Sequence, residues 1–497
     1  MADDKFNEIS VQFLKWLKNL PGVYVSPKIE IRDLRQLQQG RGVVANDHID
    51  SGELLFSIPR TVILSVENSG IEQAVPEIKD LDGWLSLIVT MMAENRPDSR
   101  WKQYYDILPT QFTTPMFWNE ADLQHLNGTT ALSQLGREEA NVQYYEKVVP
   151  IIKAHPEVFS RVDSSIEAFH RMGSIILSYS FDVAKNGQVD DADESEEDEG
   201  LEVVDESEPE DDEADQNDAN TDAENDNDDH HEVIEVIEEI DVDNDGEDDY
   251  VKAMVPLADI LNGDSDLNNA RLFYSTGALE MKATEPIEKD NQIYNTYGDL
   301  PNSDLLRRYG YVRYGKTTND RVEISTKLAI EVAGRNLSEQ HIQKRIGFMM
   351  QVDEEQDDEL LDDSFEIPIT APAVPTSAIV FTYILLLNPI AFRQLKKQGT
   401  AAVAEIPRRE LKSEEQREVW LAILKKKMAE YTNDIVTDEN LILETDPLTN
   451  LNLRNAIEVR LSEKRIVDAT MAKVQQWKTS TKRVKAFHTR PSKKIKV

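Results

Sequence analysis

Two short stretches carry the residue types best suited to chemistry. Met254-Val255-Pro256-Leu257-Ala258-Asp259-Ile260-Leu261-Asn262 is an apolar run that ends on a polar Asn. Asn295-Thr296-Tyr297-Gly298, followed by Arg308-Tyr309-Gly310-Tyr311, sets two Tyr-Gly corners twelve residues apart. Glycine turns the backbone through angles closed to other residues, so each corner can fix a phenol in place. Aromatic rings present a negative face to a small cation, and phenol hydroxyls hydrogen-bond an incoming nitrogen. They do so without adding a carboxylate, which would favour the charged, unreactive form of an amine. Singly, each segment reads as a packed ring at a strand end or as an Asn-Gly turn. Their joint occurrence, in order, is far more specific.

Two more segments belong with these. Gly40-Arg41-Gly42 is a flexible corner that opens a strand, and Ser178-Tyr179-Ser180-Phe181 closes a helical stretch. Gly40-Arg41-Gly42-Val43-Val44-Ala45 also fits the dinucleotide pattern G-x-G-x-x-A. That motif needs a helix N-terminus aimed at the pyrophosphate and an acid about 20 residues on. Here strand, turn and strand follow, and the later stretch is apolar, so the motif is rejected. The glycines still imply a backbone that something approaches closely. Asp241-Val242-Asp243-Asn244-Asp245-Gly246 imitates a calcium loop, but Lys252 stands where the bidentate Glu belongs. Nothing fixes a metal's geometry at His230-His231, and no metal site is expected. P-loop, H-E-x-x-H and G-x-S-x-G motifs are absent.

The elements that must position these residues are short strands interrupted by helices. Residues 5–20 read as a helix with Phe6, Ile9, Phe13, Trp16, Leu17 and Leu20 on one face, stopped by Pro21-Gly22. Strand-like runs at 42–46 and 54–59 are joined by an Asp50-Ser51-Gly52-Glu53 turn. From 83 to 181 the pattern is helical: Trp84, Leu87, Ile88 and Met91 share a face, as do Phe169, Met172, Ile176 and Tyr179. Strands return at 254–256, 270–274, 279–283 and 292–295. Beyond Tyr314 the chain reads as helical. A capping box, Ser413-Glu414-Glu415-Gln416, precedes the stripe Trp420, Ile423, Leu424, Met428 and Tyr431. A later helix of roughly 20 residues runs through Ile457, Leu461, Met471 and Val474. No internal repeat is found.

A chain of 497 residues predicts two or three domains. It has no cysteine, which excludes disulfides, thiolate zinc sites and thiol nucleophiles and fits a reducing compartment. The Met-Ala-Asp-Asp start lacks the pattern of a secretory signal, and the apolar run at 378–387 is too short to span a bilayer. A soluble, intracellular protein is expected. The net charge of −40 is concentrated: residues 190–249 hold 33 Asp and Glu with no Lys or Arg, and without those 33 the balance falls from −40 to −7. Such a run cannot bury enough apolar surface to order itself; Val233-Ile234 and Val236-Ile237 are its candidates for a partner-binding element. From Lys478 onward the chain carries eight Lys and Arg and no acid. Its Lys493-Lys494-Ile495-Lys496 end reads equally as a nuclear-import patch or a solvated basic tail. No nucleic-acid-binding module is visible.

The segment order resembles the SET-domain protein lysine methyltransferases. Within them it is most similar to the split-SET group typified by the plant RuBisCO large-subunit methyltransferase, and to the fungal ribosomal lysine methyltransferases and their animal relative. The resemblance rests on Asn295-Thr296-Tyr297-Gly298-Asp299-Leu300-Pro301-Asn302, on Leu305-Leu306-Arg307-Arg308-Tyr309-Gly310-Tyr311-Val312 and on the 254–262 run. Trp101-Lys102-Gln103-Tyr104-Tyr105 with Pro115-Met116-Phe117-Trp118 adds to it. It covers residues 6 to 477 apart from the acidic insert. It implies an α+β fold: a SET domain of short β-sheets split by a helical insertion, then an all-α C-terminal substrate-binding domain. The implied divisions are 1–65 (N-terminal helix and first SET part), 66–184 (helical insertion), 185–250 (disordered acidic insert), 251–315 (second SET part with the active site), 316–480 (helical substrate-binding domain) and 481–497 (basic tail).

By the same resemblance the cofactor is S-adenosylmethionine. It would be bound by the backbone of Gln39, Gly40 and Arg41 together with Tyr179, Asn262, Gly263 and Tyr309. Ser180 and Leu108 fall near the substrate lysine, and Tyr297 matches the catalytic tyrosine. Two positions depart from the pattern: the family often has Asn-His where this chain has Asn262-Gly263, and the plant enzymes carry Arg where this chain has Tyr179. The implied reaction methylates a lysine on a basic protein, a large-subunit ribosomal protein foremost; monomethylation comes first, and the final degree is left open because it depends on the space around the lysine nitrogen. It would act as a monomer in the nucleus and also the cytoplasm, with no direct nucleic-acid or membrane partner. Two alternatives stay open. The target is a histone or another nuclear protein, or the chain is an inactive SET scaffold serving as an acidic chaperone.

Overall fold

The computed structural model describes residues 2–37, 39–184, 250–315, 317–356, 360–407, 411–446 and 449–478. The acidic run, its calcium-loop mimic, the His230-His231 pair, the Val-Ile pairs and the basic tail from 479 onward lie outside the described residues. Short strands, few of them longer than five residues, build two four-stranded sheets. In chain order they are β1 (Tyr24–Val25), β2 (Ile29–Asp33), β3 (Arg41–Ala45), β4 (Leu54–Pro59), β5 (Ser180–Ala184), β6 (Tyr250–Met254), β7 (Asn262–Gly263), β8 (Ala270–Tyr274), β9 (Ala278–Ala283) and β10 (Gln292–Asn295). The first sheet runs β1-β4-β9-β8 and the second β2-β3-β10-β7.

Alternation explains the first sheet. Leu279, Met281 and Ala283 of β9 point inward while their neighbours stay partly exposed, the period-2 signature of a half-buried strand. In the second sheet β10 pairs antiparallel with β3, setting Ile293 beside Val43. It pairs parallel with β7, setting Tyr294 beside Asn262 and Asn295 beside Gly263. Segments 250 residues apart in sequence thereby meet, and the chain leaves β10 toward Tyr297 alongside Asn262–Gly263.

The helical insertion packs onto the same core. Asp82 caps the helix Gly83–Glu94 by accepting from the Leu85 amide. That helix is buried almost all round, and Trp84 is only partly buried. It lies against the helix Ile166–Tyr179, whose end hands the chain directly to β5. Strands β5 and β6 form a separate antiparallel ribbon with Ala184 opposite Tyr250, so the acidic run leaves and returns at one ribbon end. Expected strand 254–256 is displaced: β6 ends at Met254, and Ala258–Ile260 is a 3-10 turn.

The C-terminal part is helical as expected and has its own apolar core. It also contains an antiparallel ribbon, β11 (Arg321–Ser325) with β12 (Ser364–Pro368). The predicted capping box is half made. Ser413 accepts from the Gln416 amide, but the Gln416 side chain turns to Ile379 and Thr382 instead of back to the cap. The last helix, Leu451–Gln475, is 25 residues long. A smaller core joins the three parts: Trp118, Leu123, Leu126 and Ala131 from the insertion, Leu306 and Val312 beside the tyrosines, and Ala456 and Val459 from the last helix.

Candidate active site

The two Tyr-Gly corners meet face to face. Tyr297 and Tyr309 stack with ring centroids 4.2 Å apart and planes 2° from parallel, and Tyr311 tilts against Tyr309 at 6.3 Å. The Tyr297 hydroxyl donates to the Leu261 carbonyl at 3.0 Å. Gly263 lets the ring in: a Cβ there would lie 2.3 Å from the Tyr297 ring carbons. The Gly in place of the family's usual His is therefore matched to the placement of Tyr297. Gly310 works through its conformation, with φ +78°, and through closeness, since a Cβ would meet the Thr113 side chain at 2.2 Å and backbone at 2.9 Å. The turn before it, Leu305–Tyr309, is a π-helix, and the Ser178 hydroxyl donates to the Arg308 carbonyl at 2.5 Å. Tyr179, the next residue, lies close enough to Tyr297 and Tyr309 to influence both phenols.

A second group lines up along β3, β7 and β10. The Asn262 amide donates to the Arg41 carbonyl at 3.2 Å and to Gln292 at 2.8 Å, and Gln292 donates to Gln39 at 2.9 Å. Gly42 makes room for this chain, because a Cβ would fall 2.3 Å from the Gln292 oxygen and 3.0 Å from the Asn262 nitrogen. Gly40 is needed for its φ of +66° and has open space beside it. The Arg41 guanidinium is turned away, stacked on Phe6 at 3.7 Å and bonded to Ser10 and to the Phe6 and Ile107 carbonyls. Ser180 follows Tyr179 on β5, opposite Met254. Leu108 is packed in the main core, next to Ile107.

Burial sets the electrostatics. It raises the Tyr297 phenol well above its ordinary value, helped by Tyr179, Tyr309, Tyr311 and Asp259. It pushes Tyr179 and Tyr311 up to about 12 and Tyr309 higher still. All four are neutral phenols at physiological pH. Asp259, which the sequence reading left without a role, accepts from the Tyr104 hydroxyl. It is 9% exposed, and its Oδ1 has no hydrogen-bond partner among the described residues. Burial raises this carboxyl to about 7, against the pull of Tyr104. The signal was an acid inside an apolar run. Leu257, two residues earlier, has φ +80°, a strained non-glycine conformation that persists only where its surroundings impose it.

Beside Gly263 lies a shallow surface hollow lined by Tyr297, Leu300, Leu305, Tyr311 and a polar edge of Asp264 and Arg313. Among the described residues no group of His, Asp or Glu is arranged to hold a metal.

Two small sheets split by a helical insertion, with a partly buried tyrosine cluster beside the β7–β10 pair, define the architecture of a SET domain. The SET-domain family matches residues 40–298, and the Rubisco LSMT substrate-binding family matches residues 340–467. The chain belongs to the SET-domain protein-lysine N-methyltransferases. It is similar to ribosomal lysine N-methyltransferase 4 of Saccharomyces cerevisiae, 35% identical over 66% of this chain and 60% of that protein. It is also similar to the Schizosaccharomyces pombe protein of the same name, 32% identical over 63% and 68%. N-lysine methyltransferase SETD6 of Homo sapiens is 27% identical over 89% and 86%. In fold, the chain matches Rubisco LSMT bound to AdoMet with a TM-score of 0.61 and 17% identity, covering 94% of this chain and 92% of that one.

Proposed function

We propose that the protein transfers a methyl group from S-adenosylmethionine to one lysine of a large-subunit ribosomal protein, stopping at monomethyl-lysine. It acts as a monomer, mainly in the nucleus, without contacting nucleic acid directly. The observation that carries the chemistry is the Tyr297–Tyr309 stack with its hydroxyl on the Leu261 carbonyl, immediately before Asn262–Gly263. The donor would lie along the Gln39–Arg41 and Asn262–Gly263 backbones, which the Asn262 and Gln292 side chains link. Gln39, Gly40, Arg41, Tyr179, Asn262, Gly263 and Tyr309 would hold it. Bound there, S-adenosylmethionine supplies an electrophilic methyl on a sulfonium.

The chain's own residues do the rest. Free lysine has a pKa of about 10.4, and an apolar, aromatic passage lowers it by desolvation. Neutral phenols leave that effect intact, where phenolates would oppose it. Tyr297 aligns the amine nitrogen and stabilises the charge that develops on it, while the stacked ring of Tyr309 offers a π-face. Ser180 and Leu108 flank the lysine's entry. The 33 carboxylates of residues 190–249 attract a basic substrate at long range.

The ribosomal target is supported by the names of the two fungal relatives, and the nuclear location by the Lys493-Lys494-Ile495-Lys496 end. The test is to incubate the protein with isotope-labelled S-adenosylmethionine and, in parallel, unmodified large ribosomal subunits or core histones, and to map the label by mass spectrometry. One labelled lysine on a ribosomal protein, as monomethyl, is expected. Label on histones alone would move the target, and no label anywhere would favour an inactive acidic chaperone.

A further inference from the structure

We propose that Asn302 is a positioning residue for donor binding, acting through the backbone of Arg313 on the segment that carries Tyr309 and Tyr311; this rests on the donor site proposed above. Asn302 is 1% exposed, and its carboxamide behaves as a strand neighbour of residue 313. Its oxygen accepts from the Arg313 amide at 2.7 Å, and its nitrogen donates to the Arg313 carbonyl at 3.0 Å. The carboxamide is itself anchored. The Asn302 main-chain amide donates to Asp320 at 2.9 Å, the side-chain nitrogen approaches the other Asp320 oxygen at 3.4 Å, and Asp320 is 2% exposed. One side chain thus closes residues 302–313 into a loop containing the π-helical turn, Gly310 and both tyrosines.

The other end of that anchor grips the opposite wall of the hollow. The Arg313 guanidinium bonds Ser265 at 3.0 Å, Asp264 at 3.1 Å and Asp266 at 2.5 Å, directly after Asn262–Gly263. Contacts run from Asp320 through Asn302 and Arg313 to Asp264 without a break. An apolar residue at 302 would leave the Arg313 N–H and C=O without these partners. What the carboxamide adds is register: bonding both the N–H and the C=O of one residue fixes Arg313 in both directions. That in turn fixes Tyr311 two residues before it and Tyr309 four before it.

The test compares wild type, Asn302→Asp, Asp320→Asn and the double variant by calorimetric titration with S-adenosylhomocysteine, melting temperature and steady-state KM. Asn302→Asp keeps size and the acceptor to the Arg313 amide but sets an oxygen against the Arg313 carbonyl. Roughly tenfold weaker affinity is expected, the size of one opposed buried hydrogen bond, with donor KM raised in step and protein-substrate KM changed less than twofold. In the double variant Asp320→Asn can donate to the new carboxylate. Melting temperature should recover while affinity stays low, because the clash at Arg313 remains. Recovery of both, or wild-type affinity in Asn302→Asp, overturns the proposal and makes the contact merely structural. Should Asn302→Asp not fold, Asn302→Ser, too short to bridge both Arg313 groups, takes its place. Wild type that does not bind S-adenosylhomocysteine overturns the donor site and this proposal with it; wild type that binds, with unaffected variants, overturns this proposal alone.

Discussion

A neutral phenol can accept a hydrogen bond from an amine without holding it protonated, and Tyr297, Tyr179, Tyr309 and Tyr311 are neutral phenols whose pKa desolvation raises further above the ordinary value of about 10. Asp259 is the exception in this setting, because its carboxyl titrates at about 7. Below that pH it is neutral; above it, a negative charge faces the tyrosine cluster and favours entry of a lysine ammonium. The KM for protein substrate should therefore fall as pH rises through about 7, and Asp259→Asn should flatten that inflection. A variant profile that keeps the inflection would assign it to another group. Tyr297, Asn262 and the Gly corners stood out in the sequence by their joint order, and their roles came from the resemblance to the family. Asp259 was visible but mute, since its meaning comes from burial and from Tyr104, 155 residues away.

At the scale of elements, the site is made by pairings that local pattern does not report. The parallel β7–β10 pair brings Asn262 beside Tyr294, yet β7 has two residues, too few for a periodic signal. The β11–β12 ribbon was missed for the opposite reason: it is periodic, but its partners lie about 40 residues apart within helical sequence. That ribbon carries a testable charge. Glu323 on β11 accepts from Gln134 of the insertion at 2.8 Å and from Ser364 at 3.3 Å. Burial, then Glu366, Asp304 and Glu463, raise its carboxyl to about 7. With the folded pKa above the unfolded value, the folded state binds the extra proton between about 4.5 and 7, and stability falls as pH rises through that window. Glu323→Gln should remove this fall and leave the variant more stable than wild type at pH 8 by on the order of 1 kcal/mol. Urea midpoints at pH 5 and 8 check it, and an unchanged difference between the two pH values would refute it.

Across the whole molecule, the insertion and the C-terminal helices are held together by buried charge as well as by apolar contact. Asp438 is fully buried and bonds Arg460 at 2.6 and 2.8 Å and Lys464 at 2.5 Å. Arg460 also donates to the His125 carbonyl of the insertion. Burial pushes the Asp438 carboxyl up, but bonds from Arg460, Lys464 and Asn433 outweigh it and hold it below the usual range. Removing the shared anion leaves two buried cations uncompensated, so Asp438→Asn should cost about 3–5 kcal/mol in urea unfolding; a loss under about 1 kcal/mol would mean water reaches the cluster. Domain order was readable from composition and motif sequence. This three-way junction was not, because buried Arg and Lys look in sequence like solvated surface.

The most direct measurement is single-turnover methyl transfer by wild type and Tyr297→Phe, with donor affinity measured alongside. Loss of the hydroxyl should slow transfer by on the order of 10²–10³-fold while donor affinity stays within about twofold of wild type. Transfer at the wild-type rate by Tyr297→Phe would contradict a methyl-transfer centre built around this phenol.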